Sequence, residues 1–181
     1  MRSRLILSGS SLVSNVFALF SDRRYLRLTL SCLPGLVLSR RRRDQFTEIR
    51  TFCRQLPAML EGPLPEAMTR LTPDTGNPHL DEEDDLRNMV DLVVWLESGS
   101  PLGLCLRRSL TRYYFLRQVG VPLEVHFGAR FNELEANRAL IGHAWLTSNG
   151  QPYYEAEADY RGFTVMFSWS PDESKGTQPF A

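Results

Sequence analysis

What most constrains the fold is the change of hydrophobic period at Gly120. Ahead of it, Leu86, Met89, Val90, Val93 and Leu96 recur at helical spacing. After a short Gly/Pro break, Leu106, Leu110, Tyr113 and Leu116 do so again. Beyond Gly120 the period drops to two: Leu123, Val125 and Phe127 alternate with other residues, as do Phe163, Val165, Phe167 and Trp169. Gly120 with Pro122 just after it is the arrangement expected where a helix stops. Asn149-Gly150 marks a hairpin that joins a strand over 143–147 to a return strand over 151–156. Helices first and antiparallel strands afterwards predict an α+β fold with a helix packed on a sheet.

The first 85 residues read as a separate helical region. From Met1 to Arg43 there are nine Arg and one acid, Asp22. Two apolar segments, Leu5–Phe20 and Tyr25–Ser39, are each followed by Arg and read as a pair of helices with solvated basic ends. The alternative use of this zone is a surface for an acidic partner or anionic lipid. Leu5–Phe20 after two Arg imitates a secretory signal. Its serines, and the lack of a small-residue cleavage site before Asp22, argue against that reading, and it is too short and polar to span a membrane. A helix from Asp44 through Gln55 gives way to a stretch broken by Pro57, Pro63, Pro65, Pro73 and Pro78. The acidic run Asp81–Asp85 then opens the helix that carries Leu86, where acids oppose the positive end of the helix dipole. Adjacent helical residues point apart, so the run is a poor metal site. The expected organisation is 1–85 helical, 86–171 the chemically active domain, and 172–181 a polar tail.

Composition narrows the function. The chain is 43% hydrophobic and 23% charged, which excludes disorder. Its formal net charge of zero removes any global attraction to nucleic acid. Three cysteines at unrelated spacings, no CxxC and only three histidines speak against a disulfide framework or structural zinc. No metal or cofactor is expected, and a reducing cytoplasm is the simpler home.

Cys105 follows the loop Ser98–Gly103 and opens a helix. There its thiol faces the positive end of the dipole, which favours the thiolate, and the first N–H groups of the helix can hold an oxyanion. Arg107 and Arg108 lie within a turn. The competing explanation is a small buried hydrophobe. His143, leading a strand in Gly142-His143-Ala144-Trp145, is the candidate base. His79 and His126 have no accompanying catalytic group and read as surface histidines. The group that orients His143 comes from Glu155, Glu157 or Asp159. If Ser148-Asn149-Gly150 form a three-residue loop with a bulge at Gly150, His143 sits opposite Glu155 on one face. A tight two-residue turn would put Glu155 on the other face and send the role further on, to a residue such as Asp159.

These residues resemble a known family. Cys105-Leu106-Arg107-Arg108-Ser109-Leu110, Gly120-Val121-Pro122, Gly128, and His143-Ala144-Trp145-Leu146 with Gly150 are similar to the C-terminal domain of the lasso-peptide B proteins, which include the microcin J25-processing protein. The likeness runs from about Leu86 to Pro171. It implies a transglutaminase- or papain-like fold with the nucleophile at a helix N-terminus and a Cys-His-Asp triad. It places Cys105 and His143 in that triad, with Glu155 at about the position of the family's Asp. It further implies removal of the leader peptide from a ribosomally made precursor. The implied partners are a separate winged-helix leader-binding protein and an ATP-dependent lasso cyclase, with the basic N-terminal zone free to touch either or the membrane. Amide transfer or deamidation on glutamine, and a non-catalytic peptide-binding scaffold, are the alternatives.

Overall fold

The computed structural model describes residues 23–131 and 139–171. The segment Leu5–Phe20, its signal-like character and the tail 172–181 lie outside the described residues.

Among the described residues five helices precede the sheet: α1 (Arg23–Leu38), α2 (Arg40–Met59), α3 (Leu64–Arg70), α4 (Glu83–Leu96) and α5 (Leu104–Gln118). Ser39 alone separates α1 from α2, and its hydroxyl accepts the N–H of Arg42 at 3.4 Å, capping α2. The Arg40–Arg43 run therefore forms a first helical turn. Four cations at the positive end of a helix are unfavourable on their own, and the acidic run of 81–85 offsets them. Arg42 bonds Asp81 at 2.9 Å and also Asp85, while Arg41 donates to the carbonyls of His79 and Leu80. Glu83, Asp84 and Asp85 also stand in the first turn of α4, where they oppose its positive end, so the run serves two helix starts.

The α2 residues Ile49, Phe52, Cys53 and Leu56 share one core with Leu86, Met89, Val90 and Val93 of α4 and with Leu110, Tyr113 and Leu116 of α5. The packing thus draws no line at residue 86. Leu96, on the expected apolar stripe, is half-exposed at the helix end. Gly120, at φ +89°, takes the left-handed conformation that closes α5.

The sheet contains β1 (Leu123–Phe131), β2 (Leu140–Ser148), β3 (Gln151–Pro152) and β4 (Thr164–Trp169), in the order β3-β2-β1-β4 with antiparallel neighbours. This is the expected α+β arrangement of helices followed by an antiparallel sheet. Leu123, Val125 and Leu146 turn their side chains into the helical core.

The hairpin departs from expectation twice. Ser148 pairs with Gln151, and Asn149 (φ 51°) and Gly150 (φ 73°) are both left-handed. The turn is a two-residue type I′ turn, whose twist matches that of the strands with no extra residue. The bulged three-residue loop is not formed. The return strand is also only two residues long. Pro152 lacks an N–H, and although Tyr153 still donates to Leu146 at 2.9 Å, Tyr154 at φ 50° turns the chain away. Tyr153 then bonds Glu83 at 2.6 Å, and Arg87 lies over the Tyr154 ring, so this segment is tied to α4. A short helix, α6 (Glu157–Tyr160), follows before β4.

Candidate active site

Cys105 is the second residue of α5 and is partly exposed, whereas Cys32 and Cys53 are buried. Burial pushes both of those thiols up, which keeps them protonated and inert. At the start of α5 the first N–H groups have no carbonyl of their own helix to bond, and Cys105 stands in this first turn. Ser109, one turn on, donates to the Ala144 carbonyl at 2.8 Å and pins α5 against β2.

A cleft of about 330 Å³ opens at this junction. Gly103, Cys105 and Leu106 bound it from α5; Phe127, Gly128, Gly142, His143 and Ala144 bound it from the sheet. The structure therefore brings Cys105 and His143 to one cleft. Among the described residues no hydrogen bond joins the thiol to the imidazole. The alternation of β2 explains this: Ala144 and Leu146 face the helices, while His143 and Trp145 stand on the outer face of the sheet. β3 pairs only with Thr147 and Ser148, so the edge of β2 near His143 is not covered by β3.

The His143 ring is held by aromatic neighbours. It lies nearly parallel to Trp145 (centroids 5.8 Å apart, planes 15° apart) and tilted against Phe163 at 5.2 Å. Gly128, its register partner on β1, is what lets Trp145 approach: a Cβ there would sit 2.7 Å from the indole and 3.1 Å from the Cβ of Phe163. Burial, then the nearby Arg108, holds the imidazole below its usual pKa, against an upward pull from Asp159. The ring is therefore neutral at neutral pH, the state a general base needs. Its Nε2 is buried and has no hydrogen-bond partner.

Glu155 is elsewhere occupied. Arg108 donates to both of its carboxylate oxygens, at 2.7 and 3.0 Å, and Arg112 approaches to 3.8 Å. Arg112 in turn makes two bonds to Asp91, at 2.7 and 2.6 Å. Glu155 thus ends a buried chain of charges between α4, α5 and the segment after the hairpin. Its assignment as the partner of His143 depended on the bulged turn and falls with it. Burial pushes its carboxyl up despite the two arginines. Glu157 pairs with Arg161 at 3.6 Å. Asp159, on α6, is the acid whose charge acts on His143.

His126 is half-buried, not a plain surface histidine. Its ring nitrogens lie 2.8 Å from the hydroxyls of Ser168 and Thr147, and it stacks on Trp145 at 5.6 Å from the face opposite Val125 and Phe127. The signal was its alternation with those apolar residues. The hydroxyl partners come from other strands and leave no local trace. No group of side chains suited to a metal ion occurs among the described residues.

A partly exposed thiol at a helix start and a neutral imidazole bordering the same cleft are groups that can carry acyl transfer. The sequence model of the transglutaminase-like superfamily matches residues 48–168, well over half of the chain. No curated protein and no solved structure matches it.

Proposed function

The chain belongs to the transglutaminase-like superfamily, whose domain is typically that of a catalytic cysteine protease, and on that premise we propose that it is a cysteine peptidase that removes the leader from a ribosomally made precursor during lasso peptide maturation. The observation that carries the peptidase reading is the cleft shared by Cys105 and His143. The lasso assignment rests on the sequence likeness around Cys105, Gly120–Pro122 and His143–Leu146.

In this reading the Cys105 thiol gives its proton to His143 and attacks the scissile carbonyl carbon. The first N–H groups of α5 receive the oxyanion. His143 returns the proton to the leaving amine, which departs as the core peptide. Water, deprotonated by His143, then cleaves the thioester and releases the leader as its acid. Catalytic hydrogen bonds of this kind tighten on substrate binding, and the thiol–imidazole bond forms at that stage. Asp159 takes the orienting role, and Glu155 holds Arg108 in place beneath the site. Leader recognition and ring closure fall to a winged-helix protein and an ATP-dependent cyclase.

The test is the mass spectrum of a precursor incubated with the protein and its leader-binding partner. Two fragments summing to precursor plus water are expected, and none with Cys105→Ala or His143→Ala. An intact precursor carrying only the small mass gain of amide-to-acid conversion would assign the chain to deamidation instead.

A further inference from the structure

The α1 helix has two apolar faces, and only one is used by the core. Cys32 is buried and Leu36 packs beside it. On the other side Leu26, Leu30, Leu33 and Val37 recur every three or four residues, with Leu38 at the end. These are exposed: Leu30 by 61%, Val37 by 66% and Leu38 by 85%. Such a row forms a continuous stripe along a helix.

The charge around the stripe has one sign. Within α1 the charged residues are Arg23, Arg24 and Arg27, with no acid. Arg27 is exposed, and Arg40 just beyond the helix is 90% exposed, its ion pair among the described residues being a long 3.9 Å contact to Asp44. Arg41 and Arg42, by contrast, are already engaged by the 79–85 segment. In the sequence ahead of α1, no charged residue occurs from Leu5 to Ser21.

We propose that α1 is a docking surface for an anionic lipid membrane, with Leu26, Leu30, Leu33, Val37 and Leu38 entering the acyl boundary and Arg27 and Arg40 meeting the headgroups. Helices that combine an aliphatic face with flanking arginines lie in the plane of the interface. No described helix is long and apolar enough to cross a membrane, and a stripe along one face of α1 is the geometry of a contact in the plane of the interface. The chemistry of the stripe favours lipid over protein. It contains only Leu and Val, whereas protein interfaces concentrate aromatic residues and Met and rely on Trp, Tyr and Arg anchors. A second copy of the chain fits poorly, because pairing two α1 stripes would bring together arginines with no acid from either helix.

The experiment is co-sedimentation of the full chain with vesicles of phosphatidylcholine alone or mixed with phosphatidylglycerol, at low and high salt. The protein is expected to bind the mixed vesicles, to ignore the neutral ones, and to be released by salt. Leu30→Glu with Leu33→Glu should reduce binding at least tenfold while the melting temperature stays put, since both side chains are exposed. Arg27→Gln should weaken binding about fivefold, the effect of one basic residue at an anionic surface. Failure to bind anionic vesicles, or equal binding to both kinds, overturns the proposal. So does undiminished binding by the double variant, or a dimer in solution that the double variant dissolves, which would give the stripe to a second copy.

Discussion

Gly128→Ala and Gly142→Ala should behave oppositely, although both glycines line the same cleft. At Gly128 the new methyl would lie 2.7 Å from Cζ3 and 2.9 Å from Cη2 of Trp145, and 3.1 Å from the Cβ of Phe163. Trp145 is buried between His126, His143 and Tyr160, so it cannot simply swing away. Overpacking of this kind costs about 1–3 kcal/mol. In a domain of this size each kcal/mol lowers the melting temperature by about 2–4 °C, so a fall of roughly 2–12 °C is expected. At Gly142 the nearest atom to the new methyl is the Gly128 carbonyl oxygen at 4.0 Å, and the backbone is not left-handed. There the loss of unfolded-chain freedom stabilises the fold by up to about 1 kcal/mol. Function should separate as well. Trp145 and Phe163 both contact the His143 ring, so moving them by about 1 Å can cost on the order of a hundredfold in turnover. Thermal melts followed by tryptophan fluorescence, with turnover of a precursor, make the comparison. Equal melting temperatures for the two variants, or full activity in Gly128→Ala, would refute the claim that Gly128 positions the base through Trp145.

Asp159→Asn should move the acid limb of the kcat/KM profile to lower pH, because Asp159 is the group that raises His143. Glu155→Gln should leave that limb where it is, and a shift there instead would return Glu155 to the site. Asp91→Asn leaves Arg112 buried without its two-bonded partner and should cost about 3–5 kcal/mol in urea unfolding; a loss below about 1 kcal/mol, typical of an exposed pair, would contradict it. His143 and His126 are both held below the ordinary histidine value of 6.5 by burial. The unfolded chain therefore takes up protons first as pH falls. Their stability contribution is complete above 6.5 and is lost as pH drops through the folded values, so the urea midpoint should fall in mild acid, and less so in His126→Gln.

The order of elements was legible because period is a local property. Leu86–Val93 and Leu123–Phe127 each announce one face of a helix or strand, and Gly120 with Pro122 announces the stop between them. Cys105 at a helix start and His143 on a strand were legible for the same reason. That they border one cleft is a tertiary fact, to which only the family likeness pointed in advance. The partner of Glu155 was hidden by distance along the chain: Arg108 and Arg112 stand on one face of α5 and meet it only after the hairpin has turned. The turn type stayed open between a tight turn and a bulged loop because Asn149-Gly150 suits both, and the choice lies in strand twist. The Arg40–Arg43 run looked like a solvated end. Its engagement by Asp81 and Asp85 depends on α2 and α4 starting side by side.

The central claim is that Cys105 is the nucleophile of an acyl-enzyme. Its most direct test is the intact mass of the protein after acid quenching during turnover of a leader-bearing precursor. The account predicts an adduct equal to the leader acyl group, mapped to Cys105 and not to Cys32 or Cys53. Precursor cleavage that continues undiminished in Cys105→Ala would contradict it.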